Sequence, residues 1–195
     1  MLDTRARKYV QPLLNKVADG FIKMGFTANG VTILAFIIGL IAAVLVGFRL
    51  FIPAVAVLWI SGLLDAVDGT VSRKTSTSSP LGTLMDVVFD RIVEIGILMA
   101  LIIIQPELAV HVAIVNATII LTMVVFLTVG ATASVQSEKT FYYQPGVAER
   151  SEGFVMLSLA ILIQNHRAIV LLIFAGMILF TAIQRFVEAV KLFKN

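Results

Sequence analysis

Five carboxylates, Asp65, Asp68, Asp86, Asp90 and Glu94, fall in the stretch SGLLDAVDGTVSRKTSTSSPLGTLMDVVFDRIVE, Ser61 to Glu94, between and within apolar runs. Asp65 and Asp68 are three apart and share a helix face; Asp86, Asp90 and Glu94 follow at four-residue steps on another. A charge at membrane depth costs at least about 2.5 kcal/mol, so this group has to be neutralised. Protonation would strand polar groups in a pocket. Arg73, Lys74 and Arg91 supply three positive charges against five negative. Clustered carboxylates from two antiparallel helices form a hard-oxygen site suited to Mg²⁺ or Mn²⁺. Two such ions would balance Asp65, Asp68, Asp86 and Asp90, and together with Arg73 could hold a diphosphate, as in two-metal phosphoryl transfer. Gly69 and Gly82 flank the group and permit close approach of a ligand or a neighbouring helix. Ser76, Thr77, Ser78 and Ser79 offer hydroxyls between the two halves.

The elements that must hold these groups are membrane helices. The chain has 195 residues, 59% hydrophobic and 14% charged, with a mean hydropathy of +0.99. Apolar runs of about 20 residues recur, as in bilayer-spanning helices, and no strand-like alternation suggests a β-barrel. The expected class is all-α, a polytopic membrane protein with six spans near 29–48, 51–72, 81–104, 109–133, 152–164 and 168–187. At about 1.5 Å per residue, Asp86 and Asp90 lie roughly 7–14 Å inside the cytoplasmic end of the third span. Residues 1–26 carry Val10, Leu13, Leu14, Val17, Phe21 and Met24 at three- and four-residue steps, with basic residues between. That pattern gives an amphipathic helix that lies on an anionic membrane surface or packs on the protein itself. Residues 27–195 form the six-helix core of a single domain spanning 1–195. No cleavable signal peptide is expected.

Lysine and arginine set the orientation. With six spans the termini share a side, which receives twelve basic residues, from Arg5 to Lys194; the other side receives only Arg49 and Arg167. The termini are therefore expected in the cytoplasm and the protein in the cell membrane as a multi-pass chain. The net charge of +3 speaks to topology and not to nucleic acid. There is no cysteine, and the two histidines, His111 and His166, fall at loop edges, which disfavours thiol and histidine-metal chemistry.

From Asp65 to Asp90 the sequence reads D-x-x-D-G-x-x-S-R-x8-G-x3-D-x3-D. It resembles the signature of the CDP-alcohol phosphotransferase family, with Ser72 in place of the usual alanine. The entry FTANGVTILAF also resembles the start of that family's first span. The resemblance implies a homodimeric membrane enzyme that moves a phosphatidyl group from a CDP-linked lipid such as CDP-diacylglycerol to an alcohol hydroxyl and releases CMP. By position, Asp65, Asp68 and Asp86 would bind two Mg²⁺ or Mn²⁺ ions. Asp90 would complete the metal site and take the acceptor proton. Gly69, Arg73, Ser79, Gly82, Thr27 and Asn29 would contact the CDP donor.

For the acceptor, Arg91, Lys139 and Arg150, with Arg185, could form a basic pocket for an alcohol bearing its own phosphate; ordinary cytoplasmic loop charge is the competing reading. GVAERSEGF resembles a segment of inositol-phosphate-using relatives, and Val87 stands where phosphatidylglycerophosphate-making members often carry proline. Inositol phosphate, glycerol phosphate and serine are the candidates, in that order. Two rivals use intramembrane carboxylates differently. A membrane prenyltransferase also takes a magnesium diphosphate, but sets its two aspartate motifs far apart. A cation transporter would leave Gly69 and Arg73 without a role.

Overall fold

The computed structural model describes residues 2–136 and 150–194. Among these the chain is helical throughout: α1 Leu2–Lys23, α2 Ala28–Gly47, α3 Phe51–Thr75, α4 Pro80–Ile104, α5 Ala109–Gln136, α6 Arg150–Leu162 and α7 Arg167–Lys194, with short 3-10 turns at Pro106–Leu108 and Gln164–His166. Packing divides the chain into two compact units. The first is Thr4–Glu107 and the second is built from Leu108 onward.

In the N-terminal unit α2 packs against both α3 and α4. It can do so because its inward face is small: Ala28, Val31, Ala35, Gly39, Ala42, Ala43 and Val46 are buried. At Gly39 the approach is closest, since a methyl group there would lie 2.5 Å from Val93 Cγ2 and 2.9 Å from Ser61 Oγ. Ser61 Oγ donates to the Ala35 carbonyl at 2.7 Å, and the Phe36 and Phe89 rings stack with centroids 4.2 Å apart. The opposite face of α2, with Ile33, Ile37, Ile41 and Val44, is exposed, as a lipid-facing stripe at helical spacing should be. At the far end Arg49 takes a left-handed conformation (φ 60°), and its Nη2 donates to the Ile104 carbonyl at the end of α4.

Helix α1 closes the near end. It stops in a Schellman motif: Gly25, at φ 81°, donates to Ile22 O while Phe26 N donates to Phe21 O. Its Leu14 and Ala18 are buried with Ala28, Val31, Val67 and Val71 of α2 and α3. Val10, Leu13 and Met24 stay exposed. Lys74, at the end of α3, reaches Asp19 of α1 at 2.6 Å and the Asn15 carbonyl at 3.2 Å.

In the C-terminal unit α7 packs against α5 and α6. Thr122 Oγ1 donates to Ile178 O at 3.1 Å. The buried Arg167 satisfies the end of α6 by donating to Ala160 O and Ile161 O. The Arg185 guanidinium lies 5.0 Å over the Phe126 ring.

Each expected span is occupied by a helix, but among the described residues four segments are long and apolar enough to cross a membrane by length and composition: Ala28–Gly47, Phe51–Thr75, Pro106–Thr132 and Gln164–Phe193. The two that fall short do so for different reasons. α4 carries Asp86, Asp90, Arg91 and Glu94. α6 has only 13 residues, about 20 Å of helix.

Candidate active site

The end of α3 and the start of α4 are joined by a short, fully specified turn. Ser76 is left-handed and closes α3 by donating to Ser72 O; Thr77 N donates to the same carbonyl. Ser79 caps α4 by accepting from Gly82 N at 3.0 Å, with Pro80 in the first helical position. Ser72 Oγ and Ser78 Oγ pair at 3.1 Å across the turn.

This hairpin brings the expected carboxylates together. One oxygen each from Asp65, Asp68 and Asp86 lie within 4.8 Å of one another, with Asp68 buried and the other two half-buried. Unit negative charges this close repel by about 3–4 kcal/mol per pair at an effective dielectric of ~20. The donor set therefore fits a hard divalent cation: all oxygen, all anionic, and gathered from two helices. Among the described residues this triplet excludes Asp90, which lies one turn further along α4. Glu94 is turned to another use. It is buried and takes a two-pronged contact from Arg91, at 2.8 Å from Nη2 and 2.6 Å from Nη1.

Beside Asp68 and Asp86 opens a cleft of about 140 Å³, lined mainly by small and hydroxyl side chains. Of the expected donor contacts, Asn29, Gly69, Ser79 and Gly82 line it with Asp68 and Asp86. Thr27 is not part of the lining; it is the N-cap of α2, accepting from Gly30 N at 3.1 Å, and precedes Ala28 and Asn29, which are. Arg73 folds back along its own helix: its Nη2 donates to Thr70 Oγ1 at 3.1 Å, and a methyl on Gly69 would lie 3.4 Å from its Nη1. Of the expected acceptor residues, Arg91 is in the N-terminal unit paired with Glu94, Arg150 starts α6 in the other unit over the Phe154 ring, and Lys139 lies outside the described residues.

The cleft also contains Ser72 of the motif and Thr77 and Ser78 of the turn, together with Thr32 and Thr83, which the sequence reading did not name. Thr32 is buried and donates to Asp68 Oδ2 at 2.5 Å. Projecting α2 from Asn29 would have found it, three residues on and on the same face.

Residues 26–191 match the family model described as CDP-alcohol phosphatidyltransferase. The chain belongs to that family. As a CDP-alcohol phosphatidyltransferase it is a transferase of phospholipid biosynthesis with the apolar helices of a multi-pass membrane protein. The assignment favours neither the prenyltransferase nor the transporter reading.

Three relatives place this phosphatidyltransferase further. It is 26% identical to the inner membrane protein YnjF of Escherichia coli over 95% of this chain and 93% of that one. It is 30% identical to the archaetidylinositol phosphate synthase of Pyrococcus horikoshii over 49% of this chain and 50% of that one. It is also similar to Mycobacterium tuberculosis phosphatidylinositol phosphate synthase, solved with CDP-DAG bound, at a TM-score of 0.73 and 19% identity, covering 91% of this chain and 94% of that one. The same protein solved with manganese and citrate gives 0.75 and 18%, over 90% and 88%. At these identities the structures establish a shared fold.

Proposed function

We propose that the protein transfers the phosphatidyl group of a CDP-linked lipid such as CDP-diacylglycerol to the hydroxyl of a small polar alcohol, with CMP leaving. The observation that carries this reading is the convergence of Asp65, Asp68 and Asp86 beside a cleft that also contains Asn29, Gly69, Ser79 and Gly82. The manganese-bearing and CDP-DAG-bearing structures of the mycobacterial synthase support it by analogy.

Asp65, Asp68 and Asp86, with Asp90, would hold two Mg²⁺ or Mn²⁺ ions. Such ions, when bound, offset diphosphate charge and make phosphorus more open to attack. In the reaction the acceptor oxygen forms a bond to phosphorus while the phosphorus–oxygen bond to CMP breaks. Asp90, a turn deeper than the triplet, accepts the hydroxyl proton as the oxygen attacks. Gly69 leaves room for the nucleotide. Arg73, once swung from Thr70, adds a planar donor pair for diphosphate oxygens. Asn29, Ser79 and Gly82 form the wall against which the CDP group rests, and Thr27 caps the helix that carries Asn29. The lipid tails stay in the bilayer while the head group enters the cleft.

All six of α2–α7 cross the membrane in this reading, with α1 as an amphipathic helix at the cytoplasmic surface, both termini in the cytoplasm, residues 27–195 as one catalytic domain and the enzyme a homodimer. For α4 the support is a continuous exposed stripe of Leu81, Leu84, Val88, Ile92, Ile95, Met99 and Ile103, which gives lipid an apolar face along the whole helix. The preferred acceptor is inositol phosphate, a choice supported by the likeness to the archaetidylinositol phosphate synthase of Pyrococcus horikoshii, with glycerol phosphate next and serine third. Arg91, Lys139 and Arg150 would supply positive charge to its phosphate.

The test is incubation of purified protein with CDP-diacylglycerol, Mg²⁺ or Mn²⁺ and a panel of polar alcohols, following CMP and lipid product together. Metal-dependent CMP release matched by lipid product supports the reading. Absence of CMP with every alcohol and both metals overturns it.

A further inference from the structure

Thr32 and Asp68 come from different helices, and both are buried, 5% and 7% exposed. The Thr32 hydroxyl lies 2.5 Å from Asp68 Oδ2 and 3.0 Å from Ala28 O. A hydroxyl has one proton. Threonine in a helix commonly gives it to the carbonyl four residues back. Here a carboxylate, which has no proton to return, lies closer, and a bond to a charged acceptor is about twice as strong as one to a neutral carbonyl. The proton therefore goes to Asp68. That bond fixes the turn of the Asp68 carboxylate about its own side chain. It also ties the carboxylate to α2, the helix that carries Asn29 and lines the same cleft.

We propose that Thr32 is a positioning residue for the metal site: by donating to Asp68 Oδ2 it holds the carboxylate toward Asp65 and Asp86 and raises the affinity of the triplet for a divalent cation. The proposal rests on the metal reading given above. It assigns Thr32 no contact with donor or acceptor. Hydrogen-bond partners of this kind commonly contribute about 10–100-fold to metal affinity.

The test measures Mn²⁺ affinity directly, by electron paramagnetic resonance on purified protein without donor or acceptor, for the wild type, Thr32→Val, Thr32→Ser, Thr32→Ala and Asp86→Asn. Thermal unfolding of each metal-free protein is recorded alongside. Thr32→Val keeps the shape and removes the hydroxyl, so its Mn²⁺ dissociation constant should rise by about tenfold or more with little change in metal-free Tm. Thr32→Ser restores the donor and should return to within about threefold of wild type; Thr32→Ala serves in place of the valine variant should that fail to fold. Wild-type affinity in the valine or alanine variant, with Asp86→Asn impaired, overturns the positioning role and leaves the metal site standing. A serine variant as weak as valine also overturns it. No Mn²⁺ bound by the wild type overturns the metal reading and this proposal with it.

Discussion

Gly82 and Asn29 meet so closely that a methyl group on Gly82 would lie 3.1 Å from Asn29 Oδ1, and 3.3 Å from Ser79 Oγ. The first turn of α4 thus rests directly on α2 at the wall of the cleft. Gly82→Ala is expected to push the Asn29 carboxamide by a few tenths of an ångström out of its place. The Michaelis constant for the CDP-lipid should rise several-fold while Tm stays near wild type. Steady-state kinetics at varied donor check this, and an unchanged constant would show that Asn29 does not touch the donor.

Asp90 lies one turn beyond Asp86 along α4, and the proposed reading gives it the acceptor's proton. Asp90→Asn should lower kcat by about 100- to 10,000-fold with CDP-lipid binding retained. Turnover and equilibrium binding of a CDP-lipid, measured on the same preparation, separate the two effects. Strong residual turnover removes Asp90 from the base role.

Gly39 sits where α2 meets α3 and α4, with Val93 Cγ2 only 2.5 Å from any added methyl. Valine is branched and stiff at χ1, so it cannot swing aside. Gly39→Ala should cost about 1–3 kcal/mol, the usual range for overpacking. Adding Val93→Ala should recover part of the loss, a coupling that a double-mutant cycle in detergent would read out.

Arg150 opens α6 and stacks on Phe154. If it meets the acceptor's phosphate, Arg150→Ala should raise the Michaelis constant for a phosphorylated alcohol by about tenfold or more, the scale of one bond to a charged group. A neutral alcohol should be hardly affected. Equal indifference to both alcohols returns Arg150 to ordinary loop charge.

The acidic triplet was legible in the sequence because its geometry is local. Two carboxylates three apart on one helix, a turn closed by Ser76 and Ser79, and a third carboxylate nearly two turns into the next helix leave little freedom in where they point. Glu94 was grouped with them by its four-residue step, yet Arg91, three residues before it, claims its carboxylate; an i,i+3 pairing was as visible as the acidic spacing and describes Glu94 better. Thr32 escaped notice because its importance lies 36 residues away, in which atom of α3 it faces. Hydropathy found the helices; α4 falls outside the four candidate spans because it carries Asp86, Asp90, Arg91 and Glu94.

Only Ser76, Thr77 and Ser78 separate the end of α3 from the cap of α4, and all three members of the triplet lie before Glu107. A chain emerging from the ribosome thus delivers the whole triplet within one local hairpin. If α4 crosses the membrane as proposed, it follows the helix bearing its two companion aspartates, and the pair would enter the bilayer as one folded hairpin. The residues from Leu108 onward supply none of the three triplet carboxylates.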